Sequence, residues 1–308
     1  MTGLYLFLLL LLTGLLGFWL VGERGRLIRP STWAFLKESG IKSVFNLNAI
    51  QAYLYGRWPS KYLGVLYDTL IPRLRPRGRK WWRDRYHSKV LTPIQAQSLI
   101  ALEEDIIRQD LEQIIPYPMA RSLVLNGPPE VAVHDCACRI NSGNNCGPTQ
   151  VCMVVGQPFV DFIVEHHPES SRRLTTMEAL QLLEETHARG SVHAAWFSET
   201  MMGRFYALCN CCSCCCGGIK AMREYDSPMV ASSGFVSQVD TDICIACGDC
   251  AQACPFDAIT VEDFSVVDWD KCMGCGVCET ICASEAITLV RDELKGDPLD
   301  VRMLAHAG

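Results

Sequence analysis

The sequence predicts an α+β chain in three parts: an N-terminal transmembrane helix, a cysteine-rich middle domain of mixed α/β character, and a C-terminal domain with internal pseudo-symmetry. Three observations carry that expectation. An uncharged apolar stretch of 18 residues lies near the N-terminus, capped helical segments alternate with short apolar runs in the middle, and a 28-residue repeat lies near the C-terminus.

Leu4 to Val21 reads LYLFLLLLLTGLLGFWLV, near the lower length for crossing a hydrocarbon core. A cleaved signal would place a basic residue before the apolar run and a small-residue cleavage site after it. Met1-Thr2-Gly3 brings no charge, and Glu23-Arg24-Gly25-Arg26 brings no such site. A retained single-pass anchor in the inner (cytoplasmic) membrane is therefore expected. Arg24, Arg26 and Arg29 follow the span and put the bulk of the chain on the cytoplasmic side.

Charge is unevenly divided. Residues 1–90 hold 15 Lys or Arg against 4 Asp or Glu, whereas residues 91–308 hold 13 against 30. The basic front suits an anionic lipid surface and the acidic remainder suits a basic docking face. Arg73 to Lys89 interleaves basic residues with Trp81, Trp82 and Tyr86, a composition fitting either the headgroup layer or a solvated loop. No recognisable nucleic-acid module surrounds it, so nucleic acid is not an expected partner.

Thr92-Pro93 reads as a helix start, and apolar residues at helical spacing continue to Pro116. Thr175 and Glu178 form a capping box that opens a second helix, closed by Gly190. VAVHDC, VHAAWF and FYALCN read as strands. The division expected is 1–22 for the anchor, 23–90 for a basic, aromatic-rich juxtamembrane region and 91–234 for a cysteine-rich cluster-binding domain, followed by the repeated domain at 235–292 and a tail at 293–308.

In the repeat, VDTDICIACGDCAQACPFDAIT aligns with VDWDKCMGCGVCETICASEAIT, matching Val239 with Val267 and Ile259 with Ile287. Cys244, Cys247, Cys250 and Cys254 follow C-x2-C-x2-C-x3-C-P, and Cys272, Cys275, Cys278 and Cys282 follow the same spacing with Ala283 in place of the proline. Three thiolates at intervals of three on one loop grip three irons of a cubane, and the fourth reaches the other cluster. Cluster one is thus expected on Cys244, Cys247, Cys250 and Cys282, and cluster two on Cys272, Cys275, Cys278 and Cys254. Zinc would use two C-x2-C pairs and leave the third and fourth cysteines of each run unexplained. A cytoplasmic location argues against disulfides. These residues resemble the bacterial-type two-cluster ferredoxins, which implies two 4Fe-4S clusters, a compact pseudo-symmetric α+β ferredoxin fold and one-electron transfer.

Ten cysteines remain: Cys136, Cys138, Cys146 and Cys152 in one segment, and Cys209, Cys211, Cys212, Cys214, Cys215 and Cys216 in the run CNCCSCCC. Buried structural cysteines scatter along apolar periods, so this clustering indicates metal ligation. Residues 91–290 resemble a group of multi-cluster ferredoxin-like proteins that carry a C-x-C-R segment and a CNCC-x-CCC run before a two-cluster ferredoxin. The resemblance implies one or two further 4Fe-4S clusters and no particular substrate. An extended run would turn Cys209, Cys211 and Cys215 to one side and Cys212, Cys214 and Cys216 to the other, giving two clusters there and four in the chain. Arg139 would bond a cluster sulfur or make a surface ion pair. His134, His166, His167, His187 and His193 are expected to be structural or solvent-facing.

No G-x-G-x-x-G fingerprint is present, and no catalytic residue is expected. The expectation is a membrane-anchored electron-transfer subunit that links a soluble redox partner to a membrane redox complex. The competing reading is a reductase with a catalytic cluster in the ten-cysteine module, fed by the ferredoxin.

Overall fold

The computed structural model describes residues 2–39, 47–144 and 146–305. The parts of the expected juxtamembrane region and tail at 40–46 and 306–308 lie outside them.

Helix α1 (Thr2–Gly22) contains a window, Leu4–Gly22, long and apolar enough to cross a membrane, with mean hydropathy 2.5 and no burial against the protein. Its end is fixed into the fold. Trp19 stacks on Tyr53 at 5.1 Å, and Arg57 Nε donates to the Gly22 carbonyl at 2.7 Å, satisfying one of the last helical acceptors. Glu23 is fully buried and accepts from Tyr53 Oη at 2.8 Å and Thr32 Oγ1 at 3.0 Å. A buried carboxylate is tolerated only when so bonded.

The next helices are α2 (Pro30–Ser39), α3 (Leu47–Arg57) and α4 (Pro59–Gly64), a π-helical turn Val65–Leu70, α5 (Ile71–Arg73) and α6 (Pro76–Arg85). The stretch from Arg73 to Lys89 is thus neither loop nor simple surface contact. It forms α6 and enters strand β1 (Tyr86–Leu91), whose His87, Ser88 and Lys89 are buried. Its Arg and Trp content hid a strand whose alternate residues serve two packed faces.

Strand β1 leads to α7 (Pro93–Ile100), then β2 (Ile106–Arg108) pairs with β3 (Leu123–Leu125). The helix expected to run to Pro116 therefore stops at Ile100. Its Thr92–Gln95 capping box forms, but β-branched Ile106 and Ile107 pair across to Leu125 and Val124, and pairing overrides the helical period. The chain continues through β4 (Val131–Asp135), α8 (Ala137–Asn141), β5 (Gln150–Val155), α9 (Phe159–His166), β6 (Ser171–Leu174), α10 (Thr176–Ala188), β7 (Val192–Ser198), β8 (Arg204–Cys211), α11 (Gly217–Tyr225) and β9 (Val230–Ala231). The Thr175–Glu178 box opens α10 as the sequence predicts, and the three apolar runs form β4, β7 and β8.

Seven of these strands make one sheet in the order β6-β4-β5-β8-β7-β1-β9, antiparallel except for the pair β1 and β9. Alternation gives it two apolar faces. Met153, Ala195, Phe197 and Leu208 pack with Leu99 and Ile100 of α7 and Leu183 of α10. On the other face Val154, Ala194, Trp196, Tyr206 and Cys211 pack with Phe35 of α2, Ala52 of α3 and Phe162 of α9. The juxtamembrane helices thus cover the face that carries the cysteines of β8.

The C-terminal part contains β10 (Phe235–Val239), α12 (Asp249–Ala253), β11 (Ile259–Val261), β12 (Ser265–Val267), α13 (Val277–Ile281), β13 (Ile287–Arg291) and the final helix α14 (Val301–Ala305). Strand β10 pairs antiparallel with β13 and β11 with β12, so helix and sheet alternate twice about a pseudo-twofold.

Lys89 sits at the centre of β1 between Ala195 and Ala231, 1 % exposed. Burial pushes its ammonium down to about 7 from 10.5, opposed by Asp297. Below pH 7 folded and unfolded chains are both protonated there, and the burial penalty is fully present. Between pH 7 and 10.5 the unfolded chain binds the extra proton, so this contribution makes stability rise with pH. Lys89→Met should raise stability by on the order of 4 kcal/mol at pH 6, with the gain shrinking as pH approaches 10.5. Parallel thermal unfolding scans of variant and parent at pH 6, 8 and 10 check this; a pH-independent difference would contradict it.

Candidate metal centres

The duplicated segment repeats its backbone as well as its sequence. Ala246 and Gly274, Gly248 and Gly276, and Asp257 and Glu285 all adopt positive φ at equivalent positions. Gly248 and Gly276, in the left-handed region, immediately precede α12 and α13. These turns fold each C-x2-C-x2-C loop back on itself and aim its thiols inward.

Cys244, Cys247, Cys250 and Cys282 line one small cavity, so the fourth cysteine of the second run joins three from the first. Cys254 interacts electrostatically with Cys272, Cys275 and Cys278 in the other group. Burial pushes the Cys275 thiol up, and Cys278 up to about 11. Such thiols ionise when a cation occupies the site. A cluster of irons supplies that charge, so these residues fit the group.

Two residues that the sequence reading missed sit beside the sulfurs. Ser237 Oγ is 3.0 Å from Cys278 Sγ, and Ser265 Oγ is 3.2 Å from Cys250 Sγ. The two serines and the two cysteines are each separated by the repeat period, and each serine serves the other half's cysteine. A serine at the same register of both repeats was the available signal. Hydroxyl donors at ligand sulfurs lower electron density on the cluster and tune its potential.

In the middle domain β8 sets the geometry. Cys209 and Cys211 are two apart on the strand and share a face; Cys209 stands opposite Cys152 of β5, with sulfurs 3.2 Å apart. Cys136 immediately precedes α8, Cys138 lies within it, and Cys216 immediately precedes α11. These six thiols, together with Cys212 at its edge, line a cavity of about 80 Å³ that Phe35, Tyr55 and Tyr67 help to close. Tyr67 lies so near α11 that a Cβ on Gly217 would meet its ring at 2.2 Å. Tyr55 Oη is 2.9 Å from Tyr206 Oη, and burial raises both phenols, keeping them protonated donors.

The thiols share their charge unevenly. Hydrogen bonds from Cys138 and Cys152 hold Cys136 far below the usual thiol range, and those from Cys209 and Cys216 do the same for Cys211. The four donors are pushed up in turn. Six touching thiols cannot all ionise in a buried space unless metal cations enter with them.

The run is extended only through Cys211. Cys212 to Cys216 leave the strand and turn, which corrects the simple alternation expected for it. Cys215 joins Cys146, Cys212 and Cys214, all four sulfurs within 4.8 Å of one another, whereas Cys216 joins Cys211. Among the described residues this divides the ten thiols six and four.

Arg139 is not at the surface. It is 6 % exposed, donates to the Pro148 and Asn210 carbonyls, and carries an unpartnered Nε. Its charge lies near Cys212, Cys146 and Cys136. Four of the five histidines make structural contacts: His166 with Thr32 Oγ1 at 2.9 Å, His167 with the Gly56 carbonyl at 2.8 Å, His187 with Thr280 Oγ1 at 2.7 Å, and His193 with Asn210 Oδ1 at 2.7 Å. The fifth, His134, borders the six-thiol cavity, and burial pushes it down to about 4.

Residues 237–260 and 265–288 match the family model described as a 4Fe-4S binding domain. The C-terminal domain is therefore a ferredoxin-like iron–sulfur domain. No curated protein matches the chain.

Gly274 shows where the repeat departs from symmetry. A Cβ there would stand 2.2 Å from the Phe235 carbonyl oxygen and 2.4 Å from Ser233 Oγ, at φ +63°. Its counterpart Ala246 already bears a Cβ at φ +52°. Gly274→Ala should cost at least about 2 kcal/mol, while Ala246→Gly changes stability by less than about 1 kcal/mol. Acid-labile sulfide retained after graded heating compares the two; equal retention by Gly274→Ala and the parent would refute the packing argument.

Proposed function

We propose that the protein is a membrane-anchored iron–sulfur electron-transfer subunit. The ferredoxin-like domain carries cluster one on Cys244, Cys247, Cys250 and Cys282 and cluster two on Cys272, Cys275, Cys278 and Cys254, and a further 4Fe-4S cluster occupies the six-thiol cavity. When bound, such clusters accept and release single electrons. The observation that carries the reading is the order of the thiol groups. Cys272 and Cys275 belong to the same packed cluster as Cys211 and Cys216 of the cavity. Cys247, by contrast, is exposed, with Ile243 48 % and Ile245 67 % exposed beside it.

Electrons thus enter or leave at cluster one, pass cluster two and reach the cavity cluster beneath the juxtamembrane helices. The His187–Thr280 hydrogen bond and the Arg223–Asp257 ion pair, at 3.2 Å, fix the two domains against each other along this route. The protein's own residues exclude water from the inner clusters, bond their sulfurs and hold them in sequence. A retained anchor is favoured by the burial of Glu23 and the stacking of Trp19 on Tyr53, since removing the helix would dismantle that junction. The arginines after the span favour a cytoplasmic position for both domains.

A chain without a nucleotide-binding fingerprint needs a membrane redox complex on one side and a soluble donor or acceptor on the other. Purification from native membranes should yield a complex containing such a partner. An isolated monomer with full quinone reductase activity would overturn the reading.

Exposed Asp240, Asp242 and Asp249 surround the cluster-one loop, and residues 235–293 hold 12 acidic residues against Lys271 and Arg291. A basic partner is steered to that face, so its electron-exchange rate should fall as ionic strength rises. Stopped-flow reduction across a salt series measures this, and a flat or rising profile would exclude docking there.

A further inference from the structure

The four thiols of Cys146, Cys212, Cys214 and Cys215 are spaced for one ion, not for a cubane. Around a single tetrahedral metal with M–S bonds of about 2.3 Å, the sulfurs stand about 3.8 Å apart. The ligands of a 4Fe-4S cube each hold a different iron, and their sulfurs stand about 6 Å apart. Here Cys146 and Cys212 are separated by 3.7 Å, Cys146 and Cys214 by 3.5 Å, and Cys214 and Cys215 by 3.1 Å. All four lie within 4.8 Å of one another. Elsewhere close sulfurs come in pairs, such as Cys152 and Cys209 at 3.2 Å, and among the described residues no three other thiols gather within 4.8 Å of one another.

We infer that Cys146, Cys212, Cys214 and Cys215 form a mononuclear tetrathiolate site for one zinc or iron(II) ion. Both metals suit a tetrahedral S4 set. The turn after Cys211 makes the site possible, because it brings Cys212, Cys214 and Cys215 to one side, and Asn144 Nδ2, donating to the Cys214 carbonyl at 3.1 Å, holds the loop of Cys146 against them. Four thiolates on a divalent ion leave a charge of minus two. Arg139, buried with an unpartnered Nε and lying near Cys212 and Cys146, is the compensating cation.

Four protein ligands fill the coordination of the ion and leave no open position, so its role is structural. It ties the loop after α8 to the segment between β8 and α11. Cys138 lies in α8, just before the first of these segments, and Cys216 lies in the second, so the ion holds the wall of the six-thiol cavity in place. This site does not rest on the electron-transfer reading: Cys212 borders the six-thiol cavity, but its sulfur gathers with those of Cys146, Cys214 and Cys215 whether or not electrons pass through the cavity.

The test is metal and acid-labile sulfide analysis of the full-length protein purified without oxygen. Cubanes contain iron and sulfide in equal numbers, so iron plus zinc should exceed sulfide by one ion per chain. The double variant Cys146→Ala, Cys214→Ala should lose one ion and no sulfide, with the electron paramagnetic resonance of the reduced ferredoxin-like domain unchanged. Whether zinc or iron falls identifies the metal. Loss of four irons together with four sulfides would overturn the inference in favour of a cubane, and an unchanged metal content would overturn it in favour of free thiols. Should the double variant fail to fold, the parent's excess of metal over sulfide decides by itself, and an excess of zero refutes the site. Failure of the electron-transfer reading would appear as a missing partner and leave this count unaltered.

Discussion

Sulfur crowding is the constraint on which the rest of the structure depends. The fold brings 18 thiols into four groups, two of the thiols exposed and the rest partly or fully buried, and there burial and mutual repulsion prevent all of them from ionising together: Cys136 and Cys211 ionise only at their neighbours' expense. Only cations in the same space resolve that conflict. For the ferredoxin-like domain, metal uptake and final folding are therefore one process, its loops reaching their lowest free energy with metal bound. Among the described residues, Arg139 brings positive charge between the two middle-domain groups, and Lys295 brings it near Cys272.

Strand β8 turns this constraint into a layout. Its alternation puts Ala207, Cys209 and Cys211 on the face covered by α2, α3 and α9, with Tyr206 brought to the same face by the pairing irregularity between Trp196 and Phe197, and puts Leu208 on the α7 and α10 side. Because the strand ends at Cys211, the remaining four cysteines of the run escape the alternation and divide three and one. The same sheet face continues into the ferredoxin-like domain through Phe256 and Val277, so the thiol groups of the two domains share one packed core instead of hanging on a linker.

Much of this was legible in the sequence. Spacing alone identified the two cysteine runs of the repeat, and capping chemistry located the start of α10 and of α7. Segments whose structure depends on distant partners were not legible. Nothing local in Tyr86–Leu91 announces a central strand, since Lys89 is a surface residue by type and owes its burial to β7 and β9. Ile106 and Ile107 fit a helical period as well as a strand, and only Leu125 and Val124 decide. The division of the CNCCSCCC run depended on where β8 stops, which its pairing with β7 determines. Ser237 and Ser265 were readable from the repeat but carry no metal-ligand signature of their own.

The unequal exposure of the two C-terminal thiol groups has a bearing on damage. Cys247 lies open to solvent, whereas Cys272, Cys275 and Cys278 are all buried. Oxidants such as peroxide attack the thiolates that they can reach, so oxidation in this domain begins at the group that holds Cys247. The buried thiols of the second group are out of reach at that stage. The exposed group then acts as a fuse, consumed before oxidation can reach the buried thiols behind it.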